Sequence, residues 1–116
     1  MTLEFPAPCH PWSINQERQK HWSWRNEKVG LWRDAAFYAA KAAGIGPLER
    51  CEIRVTLPVR DNRKRDPHNY GGAVKAIVDG LVHAGLWPDD TAEWVTVAEP
   101  RLRKGGQVVV QLLVAE

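Results

Sequence analysis

A chain of 116 residues, 44% hydrophobic and 26% charged, has the balance of one globular domain with a modest core and no room for a second. No apolar run approaches the roughly 20 residues that span a bilayer; "MTLEFPAPCHPW" lacks the basic and apolar parts of a secretory signal, and two cysteines make no disulfide framework, so the expected setting is cytoplasmic. A net charge of +2 says little about partners until its distribution is read.

Residues 2 to 15 are proline-rich and broken, with "LEF" and "WSI" as short strand pieces. Cys9 and His10 are adjacent and so point apart, which suits a small buried thiol and a loop histidine better than a metal site. A first basic cluster follows, made by Arg18, Lys20, His21, Arg25 and Lys28. The alanine-rich stretch from Glu27 to Ala43 reads as a helix, with Trp32, Ala35, Ala36, Ala39 and Ala43 on one stripe and "GIGP" as its stop. "CEIRVTL" alternates Cys51, Ile53, Val55 and Leu57 with polar residues, the period of a half-buried strand.

"RDNRKRD", from Arg60 to Asp66, then sets four basic residues in six positions. Beyond it Val74, Ile77, Val78 and Leu81 fall at i, i+3, i+4 and i+7, the apolar face of a second helix that "HAGLWPDD" ends. "EWVTVAE" and "QVVVQLLV" read as strands joined through "PRLRKGG", which carries a third basic run at Arg101, Arg103 and Lys104. These two strands are expected to pair as a hairpin. The expected fold is a small single-domain α+β structure, a mixed sheet with two helices in the order β-α-β-α-β-β. No internal repeat, low-complexity tract or linker interrupts it.

The second helix also carries chemistry on its flank. Lys75 and Asp79 are one turn apart beside the apolar face, with Gly72 on the same side leaving it bare; an early helix start would add His68 to that row. Each residue also suits an ordinary role. Asp66 before Pro67 is a good helix cap, Lys75 with Asp79 is a surface pair, Asp89 and Asp90 after Pro88 make a turn, and His68 is a capping side chain. Those roles leave two features unexplained: the basic run just before Asp66, and Gly71 and Gly72 weakening a helix start. Phosphate binding needs cations and metal binding needs carboxylates, so three basic runs around an acidic set make a suggestive constellation and no more.

"RKRDPHN" with the later Lys75, Asp79 and "AGLWPDD" resembles the RusA-type Holliday junction resolvases, small homodimeric endonucleases of phage and prophage origin. The matching positions are Arg65, Asp66, Asn69, Lys75, Asp79, Gly85, Asp89 and Asp90, and both "SINQERQKHW" and "KGG" fit the family's ends. Two departures stand out: His68 replaces the second aspartate of an Asp-x-Asp motif, and "YGG" lengthens the stretch before Lys75.

The resemblance implies metal-dependent hydrolysis of phosphodiesters in branched DNA, four-way junctions above all, during recombination, repair or phage DNA processing. The cell would be bacterial or phage-infected. Asp66, His68 and Asp90 would hold Mg²⁺, with Asp89 and Asp79 outside them. Imidazole suits Mn²⁺ better than it suits Mg²⁺, so Mn²⁺ would be accepted. Lys75 would stand as a fixed cation by the scissile phosphate, and Asn69 would orient a ligand or the phosphate. Arg63, Lys64 and Arg65, with Arg101, Arg103 and Lys104, would hold the DNA backbone without reading sequence. A homodimer would present two sites to a two-fold junction; no organic cofactor and no membrane enter. The alternative is a branched-DNA-binding or recombination-complex protein impaired in cleavage by the histidine.

Overall fold

The structure, a computed structural model, describes residues 1–115. Its strands are β1 (Thr2–Phe5), β2 (Cys51–Val59), β3 (Val95–Val97), β4 (Arg101–Lys104) and β5 (Val108–Val114). Its helices are α1 (Ile14–Gln19), α2 (Trp22–Ala42) and α3 (Gly71–His83), the last entered through a 3₁₀ turn, Pro67–Tyr70. The class is α+β, as the sequence predicts.

Strand β2 organises the sheet. Its alternation buries Cys51, Ile53, Val55 and Leu57 on one face, where the helices lie, and turns Arg54 to solvent. Antiparallel β5 lies along one edge, with Val55 opposite Val110, and β1 pairs outside β5. Along the other edge run β3 and β4, both parallel to β2, as two pieces of one strand broken at Ala98, Glu99 and Pro100. The hairpin expected from the last strands therefore does not form. The chain passes from β4 over the end of β2, so β2 separates the two segments. Residue alternation reports the faces of a strand and not its neighbours, so it leaves the pairing open.

Trp32, Ala36 and Ala40 are the buried line of α2, while Ala43 is exposed. This helix begins five residues before the expected Glu27, behind His21, whose ring accepts the Ser23 backbone N–H. At "WSI" the short strand is also replaced. Ser13 and Gln16 form a reciprocal capping box that starts α1, with Gln16 N donating to Ser13 Oγ and Ser13 N to Gln16 Oε1. Trp12, just before it, is buried against Trp24 and Trp32 at edge-on centroid distances of 6.4 and 6.5 Å. Its indole Nε1 donates to Glu17 Oε1 at 2.6 Å, so the proline-rich start is pinned to the body of the domain.

Helix α3 buries Val74, Ile77, Val78 and Leu81 as predicted, together with Ala73, Ala76 and Gly80. Gly80 is where α3 meets α2 closely: a methyl group there would run into the Arg33 carbonyl and lie 3.1 Å from Ala36 Cβ. Gly72 has a similar cause. A side chain there would stand 2.8 Å from Glu17 Oε1 and 2.9 Å from Trp12 Nε1, so that flank is covered by the Trp12–Glu17 pair rather than bare. Gly85, with φ of 94°, takes the left-handed position that terminates α3 and sends the chain back along it.

Candidate functional site

The returning segment after Gly85 brings Asp90 beside the middle of α3. Lys75 Nζ lies 3.5 Å from Asp90 Oδ2 and 3.7 Å from Asp79 Oδ1, so one ammonium serves two carboxylates. The pair with Asp79 was legible as an i,i+4 spacing; the pair with Asp90 exists only in the fold. Around Lys75 and Asp90 opens a groove of about 430 Å³, floored by Val74 and Val78 and walled by His68 on one side and Ala98–Pro100 on the other.

Glu99 is a groove residue that sequence reasoning missed. It stands in the break between β3 and β4, where strand pairing lapses, and its Oε1 lies 3.4 Å from His68 Nε2. Glu99 thus places a carboxylate beside the His68 imidazole. A glutamate at the end of "EWVTVAE" reads as strand-end surface, and only the parallel register of β3 and β4 on β2 carries it to the 3₁₀ turn.

Other members of the acidic set are engaged locally. Asp66 caps the 3₁₀ turn, its Oδ1 accepting the His68 backbone N–H at 3.1 Å. Asp89 folds its own turn: Oδ1 accepts the Thr91 hydroxyl at 2.6 Å and the Thr91 N–H at 3.0 Å. Those two bonds, the hydroxyl's first, hold its carboxyl below the usual aspartate value. Asp89 and Asp66 therefore fill ordinary turn and cap roles. His68, Lys75, Asp90 and, through Lys75, Asp79 meet at the groove. Asn69 sits in the 3₁₀ turn, half-buried, its N–H bonded to the Asp66 carbonyl.

The basic loop is organised by one of its own arginines. Arg65, its side chain only 9% exposed, places Nη2 2.9 Å from Asp61 Oδ1 and donates Nη1 to the carbonyls of Asp61 and Arg63. Its guanidinium shapes the loop and leaves little for a phosphate, whereas Arg60, Arg63 and Lys64 face solvent. Arg101, Arg103 and Lys104 are exposed on β4. Because Val59 pairs with Lys104 in the parallel β2–β4 ladder, the run starting at Arg60 and the run ending at Lys104 lie at the same end of the sheet.

The donor types at the groove, carboxylate oxygens with one imidazole, suit a hard or borderline divalent cation. Lys75 lying against both Asp79 and Asp90 shows that this rim accommodates positive charge. Among the described residues no three His, Cys, Asp or Glu side chains form a ready metal-ligating group. No described helix is long and apolar enough to cross a membrane. No protein-family model matches the chain, and no curated protein matches it significantly.

Proposed function

We propose that the chain is a metal-dependent, structure-selective endonuclease that hydrolyses phosphodiester bonds in branched DNA, four-way junctions above all, as a homodimer in the cytoplasm of a bacterial or phage-infected cell. The observation that carries this reading is the meeting of His68, Lys75, Asp90 and Glu99 on one groove beside a basic loop, from segments distant in sequence. Acids around an open groove suit an anionic substrate through a divalent cation that they would hold, and the lysine adds a fixed positive charge for it.

His68 and Asp90 stand at the groove and would hold Mg²⁺ or Mn²⁺; Asp66 would join them through Oδ2, the oxygen its cap bond leaves free, with Asp79 and Asp89 outside them. When bound, the ion supplies charge neutralisation at the phosphoryl oxygens and acidifies water. Lys75, already poised between two carboxylates, stands as the fixed cation for the phosphate. Glu99, with Oε1 3.4 Å from His68 Nε2, would steady the imidazole, as carboxylates do for ligating histidines. Arg63, Lys64, Arg103 and Lys104 hold the backbone, and Arg65 keeps the loop that presents the first two.

Binding of branched DNA without cleavage has one observation in its favour: Lys75 occupies the space between Asp79 and Asp90 that a metal ion would share. A labelled synthetic four-way junction separates the two. Nicking that appears with Mg²⁺ or Mn²⁺ and vanishes with a chelator is the expected result; a junction bound but left intact with either metal sinks the nuclease reading.

A further inference from the structure

On the far side of the 3₁₀ turn from the groove lies a second recess, of about 360 Å³, between the pinned N-terminal segment and the basic loop. Its polar lining comes from His10, Ser13, Gln16, Arg60, Arg63 and Tyr70, with Arg65 beneath, and no carboxylate lines it. Among the described residues the Arg60 and Arg63 guanidinium groups have no acidic partner within ion-pair distance. The capping box decides what the other groups offer. Ser13 Oγ and Gln16 Oε1 already accept backbone N–H groups, so the hydroxyl proton and the Gln16 amide N–H₂ are what remain for a ligand. Guanidinium groups donate only. A recess with two unpaired cations, donors around them and no acid is complementary to an oxyanion.

We infer that this recess binds a backbone phosphate of the DNA strand, one wall away from the groove. The inference rests on the DNA-binding reading of the basic loop, and adds the N-terminal segment to that surface. The 3₁₀ turn between the two cavities turns His68 to the groove and Tyr70 to the recess, so a strand crossing the turn would set one phosphate in each. A free phosphate or nucleotide offers the same chemistry, and the test separates the two sources.

The test is fluorescence anisotropy of a labelled four-way junction in a chelating buffer, so that no cleavage is read, for native protein, Arg60→Ala and Gln16→Glu. Glutamate serves the capping position as well as glutamine does, so Gln16→Glu keeps α1 while placing a negative charge in the recess; an unchanged melting temperature checks this. Each variant is expected to bind about tenfold more weakly, and Arg60→Ala to lower the log–log salt slope by about 0.9. Junction affinity within about twofold of native for both variants overturns the inference, as does a native protein that binds no DNA. Inorganic phosphate is titrated in parallel, read by the Gln16 side-chain amide resonance. Saturation at millimolar phosphate with junction binding unaltered by the substitutions assigns the recess to a free anion and overturns the backbone role. If the junction is bound through this recess but never nicked with Mg²⁺ or Mn²⁺, the nuclease reading fails and the inference stands. Nicking by a protein whose binding ignores both variants fails the inference alone.

Discussion

Asp90 and Lys75 meet because Gly85 reverses the chain behind α3, and Glu99 meets His68 because a strand breaks beside them. The chemistry proposed here lives in those few side chains, so it is tested one residue at a time. Asp66→Asn and Asp90→Asn each keep the side chain's shape and remove its charge. Both should cut a four-way junction at least about a hundredfold more slowly while binding it as tightly as native protein. Near-native cutting by both variants would remove these acids from the metal site. His68 gives a separate comparison. His68→Asp restores an oxygen ligand and should shift the ratio of Mn²⁺-supported to Mg²⁺-supported cleavage toward Mg²⁺, whereas His68→Ala should lose most activity with either. Glu99→Gln should weaken Mn²⁺ binding, measured by the paramagnetic signal of the free ion, by about tenfold through the loosened imidazole.

At the scale of elements, the basic loop and the α2–α3 contact carry opposite demands. The loop gathers like charges and is held by Asp61, whose carboxyl is kept below the usual aspartate value first by the Arg63 backbone N–H and then by Arg65. A depressed carboxyl stabilises the fold fully above its unfolded value, near pH 4, and that contribution is lost as pH falls through the lower folded value. Thermal melts of native protein and Asp61→Asn should therefore differ at pH 7 and converge below about pH 4. A difference that persists unchanged into acid would mean that the carboxylate's charge is not what holds the loop. Arg65→Ala should cost stability and Arg63→Ala should not, because only the first guanidinium is built into the fold. In the helix pair, Gly80→Ala gains about 1 kcal/mol of helix propensity. It also drives a methyl group into the Arg33 carbonyl. Backbone cannot yield as a flexible side chain does, so a net loss of about 2 kcal/mol is expected in denaturant melts.

Across the whole molecule, the parallel β2–β4 ladder gathers positive charge that the net value of +2 conceals. Val59 and Lys104 are register partners, and the Gly105 N–H donates to the Val59 carbonyl, so both basic runs leave the sheet at one end. One DNA backbone would then be held by both. Replacing Arg63 and Lys64 by alanine should flatten the salt dependence of junction binding, and replacing Arg103 and Lys104 should flatten it as well, by about 0.9 for each phosphate no longer neutralised. If only one pair changes the slope, the two runs face different surfaces in the complex.

The apolar period of two in "CEIRVTL" and the i, i+3, i+4, i+7 spacing from Val74 to Leu81 determined β2 and α3, since each pattern fits one backbone geometry with a buried face. Asp66 as a cap followed by proline, and Lys75 with Asp79, were equally legible because such contacts join residues within a turn or two. The Ser13–Gln16 capping box was written in the chain as well, although "WSI" reads there as a short strand piece. What only the tertiary structure decided is pairing between distant segments: β3 and β4 beside β2 rather than a hairpin, Glu99 against His68, Asp90 against Lys75, and two basic runs at one end. Side-chain alternation constrains which face a residue takes. Which strand lies next to which depends on how the chain passes over the sheet ends, and one segment's composition carries no record of that path.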